Sequence, residues 1–272
     1  MWLLLSHSFL QIATSTGKVF HREYREKYIR KRGIDEALLG REFLHFASSP
    51  NYMLNCGLGT FLMPLCAIAV LWKGSELFVR LDIMFAETVG SVPLLLCVVL
   101  CGFASMNFMT APSISLEGKS LWLLQSLPID IWKIYQAKIR MQLILTGLPI
   151  FLCIVCIAVV YPLYLSQLLM IFLFVASYVW LMTLIGLLLG VKMPVLTWTN
   201  EIMPIKQGAP VMITLFGGFV YMALLFAGFM LLPGWILGFC GYMSCFLCVN
   251  LFISVLAYLW LRKKGVAILG SL

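Results

Sequence analysis

The sequence predicts an all-α polytopic membrane protein with six transmembrane helices, and three observations carry that prediction. First, 62% of the 272 residues are hydrophobic and 11% charged, with a mean hydropathy of +1.00. A soluble domain carries about 45–50% apolar and about 25% charged residues, so one globular core could not bury this much apolar surface. Disorder is excluded as well, because it requires low hydrophobicity and high charge. Second, the apolar residues fall into six charge-free runs of near-spanning length. Third, the basic residues segregate to one side of those runs.

A helix crosses the hydrocarbon core with about 20 mostly apolar residues. The runs at 55–71, 92–111, 143–160, 163–189, 211–232 and 235–261 meet this requirement, and none contains Asp, Glu, Lys, Arg or His. The fourth and sixth are long enough to tilt or bend. Tyr161-Pro162 and Pro233-Gly234 separate the third from the fourth and the fifth from the sixth. Pro and Gly there predict tight turns between antiparallel helices. Pro233-Gly234 also fits the cap of two re-entrant half-helices, and the sequence leaves both readings open. The start, residues 1–13, is apolar but too short to span, and its basic residues follow the apolar stretch instead of preceding it as in a secretory signal. It reads as a membrane-surface anchor or the stub of a further span. The organisation expected is an N-terminal cytoplasmic and interfacial region over 1–50, a six-helix membrane domain over 51–265 and a tail over 266–272.

Charge sets the orientation. Of 19 Lys and Arg, only Lys73 and Arg80 fall on one side of this topology, beside Glu76, Asp82 and Glu87. All others lie before the first span, after the second and fourth, or in the tail. The positive-inside rule places both termini in the cytoplasm of a multi-pass cell-membrane protein. The net charge of +8 therefore reports orientation and contact with anionic lipids, and no nucleic acid is expected as a partner.

Catalytic signatures do not appear. His7, His21 and His45 lie outside the spans and form no His-Glu-x-x-His. Ser115-Leu-Glu-Gly-Lys-Ser120 imitates the end of a phosphate loop, but the position of that loop's earlier glycine is Ser113, and a span precedes it where a strand is required. Cys153-x-x-Cys156 and Cys245-x-x-Cys248 have a metal or redox spacing, yet in apolar helices cysteine behaves as a small hydrophobe. No metal or cofactor is expected. Spans without ionisable groups argue against a proton-coupled transporter. Asn107 and Asn250 read as helix–helix hydrogen-bonding groups.

Two cytoplasmic segments look functional. Residues 35–50 place Leu38, Leu39, Phe43 and Phe46 at helical spacing, with Glu36, Arg41, Glu42 and His45 on other faces, and Pro50 ends the pattern. This predicts an amphipathic helix in the membrane interface. The run before it, 22–32, mixes Arg22, Arg25, Lys27, Arg30, Lys31 and Arg32 with Glu23 and Glu26, a solvated helix near anionic headgroups. The second segment, 112–138, has a sticky face of Leu121, Trp122, Leu124 and Leu127. It fits either an interfacial anchor or a docking surface for a cytoplasmic partner.

Three stretches resemble bacterial type-2 ABC transporter permeases. They are Arg41-Glu42-Phe43 with Ser48-Ser-Pro-Asn-Tyr-Met-Leu-Asn55-Cys-Gly57; Glu117-Gly-Lys-Ser-Leu-Trp-Leu-Leu-Gln-Ser-Leu-Pro128 with Lys133 and Ala137-Lys138; and Trp198-Thr-Asn-Glu201 with Pro204 and Lys206-Gln207. The resemblance implies the membrane subunit of an ATP-binding-cassette exporter, driven by a separate cytoplasmic ATPase and binding no nucleotide itself. It implies an elbow helix at Arg41, Glu42, Phe43 and Phe46. It also implies an ATPase-coupling surface formed by Glu117, Gly118, Lys119, Ser120, Trp122, Pro128, Lys133 and Lys138, and a cytoplasmic loop carrying Trp198, Asn200, Glu201 and Lys206. Members of that family are commonly longer, with further spans upstream. The chain is thus expected to be a half-permease that pairs with a copy or a second half, or part of a longer permease. A non-transporting membrane scaffold or immunity-type protein fits the same sequence without an ATPase partner, and a membrane-embedded enzyme fits poorly because no catalytic groups converge.

Overall fold

The computed structural model describes residues 33–86, 90–231 and 238–271. The expectations for residues 1–32 lie outside the described residues. The compact unit described runs from Ile34 onward, and within it the helix before the first span packs against the helix Ile131–Val160.

All regular elements described are helical. Helices α1 (Ile34–Ser48) and α2 (Pro50–Cys56) precede α3 (Leu58–Met84) and α4 (Ser91–Ser105). A turn of 3-10 helix (Ser115–Ser120) and the short α5 (Leu121–Gln125) lead to α6 (Ile131–Val160) and α7 (Leu165–Lys192). Then come α8 (Ala209–Leu231), α9 (Gly238–Trp260), a wide turn (Leu261–Gly265) and α10 (Val266–Ser271). Five helical stretches are long and apolar enough to cross a membrane: α3, α6, α7, α8, and α9 continued to Gly270. The chain is an all-α, multi-pass membrane protein.

Local chemistry explains where the helices begin. Ser49 accepts a hydrogen bond from the Tyr52 backbone N–H at 3.3 Å and Pro50 occupies the first helical position of α2, where its missing N–H costs nothing. Asp130 caps α6 by accepting from the Trp132 N–H at 3.0 Å. Helix α7 is central: over half of its most apolar stretch is buried, against a third or less in the other four candidates. Outward residues include Leu65, Ile68, Leu148, Phe216, Leu224 and Phe252, the apolar belt expected where lipid is the solvent.

Several predicted limits change. The first run continues as helix through Lys73, Glu76, Arg80 and Asp82, because those side chains are exposed and end an apolar surface without ending a helix. The third helix starts at Ile131, well before residue 143, since Lys138 is neutralised inside the protein. The second run shortens most. Helix α4 has 15 residues, about 22 Å, and residues 106–114 leave the helix although they are apolar.

That non-helical backbone is satisfied by protein. Asn107 Oδ1 accepts from the Thr60 N–H at 3.0 Å, and the Phe108 N–H reaches the Cys56 carbonyl at 3.2 Å. Gln142 accepts from the Thr110 N–H at 2.8 Å and donates to the Asn107 carbonyl at 2.9 Å. Irregular backbone at membrane depth survives only with such partners. Helix α7 approaches this segment so closely that a Cβ on Gly190 would lie 2.5 Å from the Ala111 carbonyl oxygen. Asn250 joins helices as expected, accepting from Tyr221 at 2.7 Å. The nine cysteines are free thiols; Cys153 donates to the Met63 carbonyl at 3.1 Å, and Cys245 and Cys248 are exposed.

The connections on one end of the bundle touch each other. Tyr135 donates to the Gly265 carbonyl at 2.8 Å and Gln125 to the Leu269 carbonyl at 2.7 Å. Residues 266–270 of the predicted tail are therefore packed, with Leu269 buried. At the other end Tyr161 donates to Asp82 at 2.7 Å. The turn between α8 and α9, including Pro233-Gly234, lies outside the described residues.

Candidate functional site

The site is built where α1, the 113–120 segment and the first turns of α6 meet. Helix α1 buries Leu38, Glu42 and Phe46, residues spaced by four and therefore on one face. The amphipathic pattern put Glu42 on a face other than that of Leu38 and Phe46. The structure corrects that, because Glu42 has a partner on α6.

That partner is Lys138, which is fully buried. Its ammonium donates to Glu42 Oε1 at 3.0 Å and Oε2 at 2.9 Å, to Glu117 Oε1 at 2.9 Å and to the Ser113 carbonyl at 3.3 Å. Arg41 closes the group from its outer side. Its guanidinium donates to both carboxylate oxygens of Glu117, at 2.5 and 3.3 Å, and to Glu42 at 3.4 Å. Two cations and two anions cancel, which is the condition under which buried charges persist. Burial by itself would raise the Glu117 pKa, but Lys138 and Arg41 outweigh it and hold the carboxyl down at about 2. Glu42, His45 and Glu117 also bring possible metal-ligand atoms within 4.8 Å of one another. The Lys138 ammonium already occupies the space between the two carboxylates and supplies the positive charge that an ion would bring.

A second layer comes from the loop after α7. Trp198 donates its indole N–H to the Ser115 carbonyl at 2.6 Å, and the Ser115 hydroxyl accepts from the Val195 N–H at 3.0 Å. The Trp198 ring lies against Gly118, whose φ is +50° and ψ −129°. Only glycine adopts that region without strain. Glu201 accepts from the Ser49 hydroxyl at 2.7 Å, and Asn200 shapes its own turn by accepting from the Ile202 N–H at 3.1 Å. Tyr52 donates to the Met109 carbonyl at 2.7 Å. Lys206 is exposed beside the buried Pro204 and Ile205.

The eight residues expected to form one coupling surface thus divide. Glu117, Gly118 and Lys138 are buried and act as internal ties, because their charge or backbone is consumed within the protein. Lys133 approaches Asp35 at 3.9 Å. The Lys119 side chain lies outside the described residues. Ser120, Trp122 and Pro128 are exposed. The sticky face divides as well: Leu121 and Leu124 turn inward, while Trp122, Leu123 and Leu127 turn outward, Trp122 at 65% exposure. Leu123 was missed from sequence, since a five-residue helix is too short for its outward face to be read from periodicity. Phe43 packs at the edge of the core that contains Phe46, Tyr52 and Leu116.

Arg41, Glu42, Ser49, Tyr52, Glu117, Lys138, Trp198 and Glu201 lie far apart in the chain and converge here. Comparison with known proteins finds no matching family model, no matching curated protein and no matching solved structure.

Proposed function

We propose that the chain is the membrane-spanning subunit of an ATP-binding-cassette exporter, energised by a separate cytoplasmic ATPase. The observation that supports this reading best is the two-faced 113–128 segment. Its inner side is tied to α1 and α6 by the Arg41–Glu42–Glu117–Lys138 group, and its outer side offers Trp122, Leu123 and Leu127 to a partner. A push on the outer side would move the first turns of α6 and α1 with it, since buried, paired charges resist separation. ATP binding in the partner drives transport only by favouring one state of that unit over another.

In this reading there are six crossings, with the short α4 as the second, and both termini lie in the cytoplasm. The paired-charge end is cytoplasmic because Lys133, Arg140, Lys192, Lys206, Arg262, Lys263 and Lys264 gather there. A second permease half or a second copy completes the pathway, and anionic lipids contact the basic face.

The test is purification of the full chain from native membranes without crosslinking. A stoichiometric ATPase is expected to accompany it. Replacing Trp122 with Ala is expected to weaken that association by about 30-fold, the scale of an aromatic anchor, while leaving the fold intact. Purification without any ATPase, or association unchanged by Trp122→Ala and Leu123→Ala together, would favour the non-transporting scaffold.

A further inference from the structure

A groove on the outward side of α3, α4 and α6 joins an apolar floor to a lysine at its wall, with Arg80 farther along the same helix face. It holds about 360 Å³, within the range of small-molecule sites. Val70, Leu77 and Leu81 of α3, Leu96 and Val99 of α4 and Ile157 of α6 line it, and Lys73 is the one charged residue at its wall. Lys73 and Arg80 are seven residues apart and so share a face of α3. Both are exposed, and neither takes part in an ion pair among the described residues.

Depth makes this arrangement specific. Lys73 lies about 22 Å along α3 from Leu58 and Arg80 about 33 Å, against a hydrocarbon core of about 30 Å. Arg80 therefore sits at the far interface, and Lys73 below it must extend toward that level to keep its charge solvated. Glu76 stands between them on the neighbouring strip of the helix and offsets only one of the two cations. An occupant that matches the site has an apolar chain for the floor and a negative head for the two cations.

We propose that this groove binds one acyl chain of an anionic lipid from the leaflet opposite the paired-charge end, with the lipid's phosphate held by Lys73 and Arg80. This depends on the chain lying in a membrane and not on its working with an ATPase. The test is native mass spectrometry of the full chain after exchange into detergent with equal phosphatidylglycerol and phosphatidylcholine of identical acyl chains.

The wild type is expected to retain phosphatidylglycerol over phosphatidylcholine by about fivefold or more, the scale of one basic group at an anionic surface. Lys73→Gln with Arg80→Gln is expected to bring the two lipids to parity. Val99→Trp, at an exposed position of the groove wall, is expected to abolish retention of both. Ala69→Leu is a milder filling variant should Val99→Trp fail to fold. Equal retention in the wild type, a preference that survives neutralisation of both cations, or occupancy unchanged in a folded groove-filling variant would each overturn the proposal.

Discussion

Lys138 and Lys73 are the same residue type, each close to an apolar run, and the two ends of the bundle use them in opposite ways. Lys138 is fully buried and meets four acceptor atoms from three residues on two other segments of the chain. Lys73 is exposed on α3 and takes part in no ion pair among the described residues. A buried ammonium is a tie, because moving any of its partners away leaves an uncompensated charge in a low dielectric. An exposed one reaches water or a headgroup from whatever position the helix takes. The end that carries the tie also carries the loops after α4 and α7, so geometry there is fixed by charge pairing.

Removing each lysine in turn should separate the two roles most sharply. Lys138→Met strands Glu42 and Glu117 and is expected to cost about 3–5 kcal/mol, read as thermal unfolding of the detergent-solubilised chain. Adding Glu42→Gln and Glu117→Gln should recover much of that loss, because the coupling between contacting residues is not additive. Lys73→Met should stay within about 0.5 kcal/mol. Equal losses at the two lysines would collapse the comparison.

Acid should act at the same end. The native Glu117 pKa lies near 2, below the usual carboxylate value of about 4.3. Its contribution is complete above about pH 5, declines as pH falls through the unfolded value and is gone below the native one. The unfolding midpoint should therefore drop between about pH 4.5 and 2, and Glu117→Gln should flatten that limb of the profile.

Gly118→Ala should cost about 1–3 kcal/mol, the price of a side chain at its positive φ, with a readout in Trp198 fluorescence as the indole shifts. The smallest effect on stability belongs to Trp122→Ala, within about 0.5 kcal/mol, because the ring faces outward. A large loss there would mean that the segment's outer face is structural.

Much of the fold was legible in one dimension. Apolar runs long enough to span located α3 and α6 to α9, and the turn residues Tyr161-Pro162 marked one hairpin. Charge misled the reading in the same way at two places: Lys73 and the Lys138–Arg140 stretch were both left outside a span, although Lys73 sits in mid-helix and Lys138 near the start of another helix. Residues 106–111 failed for the converse reason, since apolar composition is the same whether a segment faces lipid or is wound irregularly inside the protein. The paired carboxylates were also hidden, because Glu42 and Glu117 look like solvent residues until their partners are known.

The sequence by itself determined that this is a helical, multi-pass membrane protein, because hydropathy sums over residues without regard to their neighbours. Only the tertiary structure decided that Arg41, Glu42, Glu117 and Lys138 form one neutral group, that Gly118 seats Trp198, and that Trp122 and Leu123 are left facing out. Burial of charge depends on distances of a few ångströms between residues up to 96 positions apart, and such distances exist only once the chain has folded.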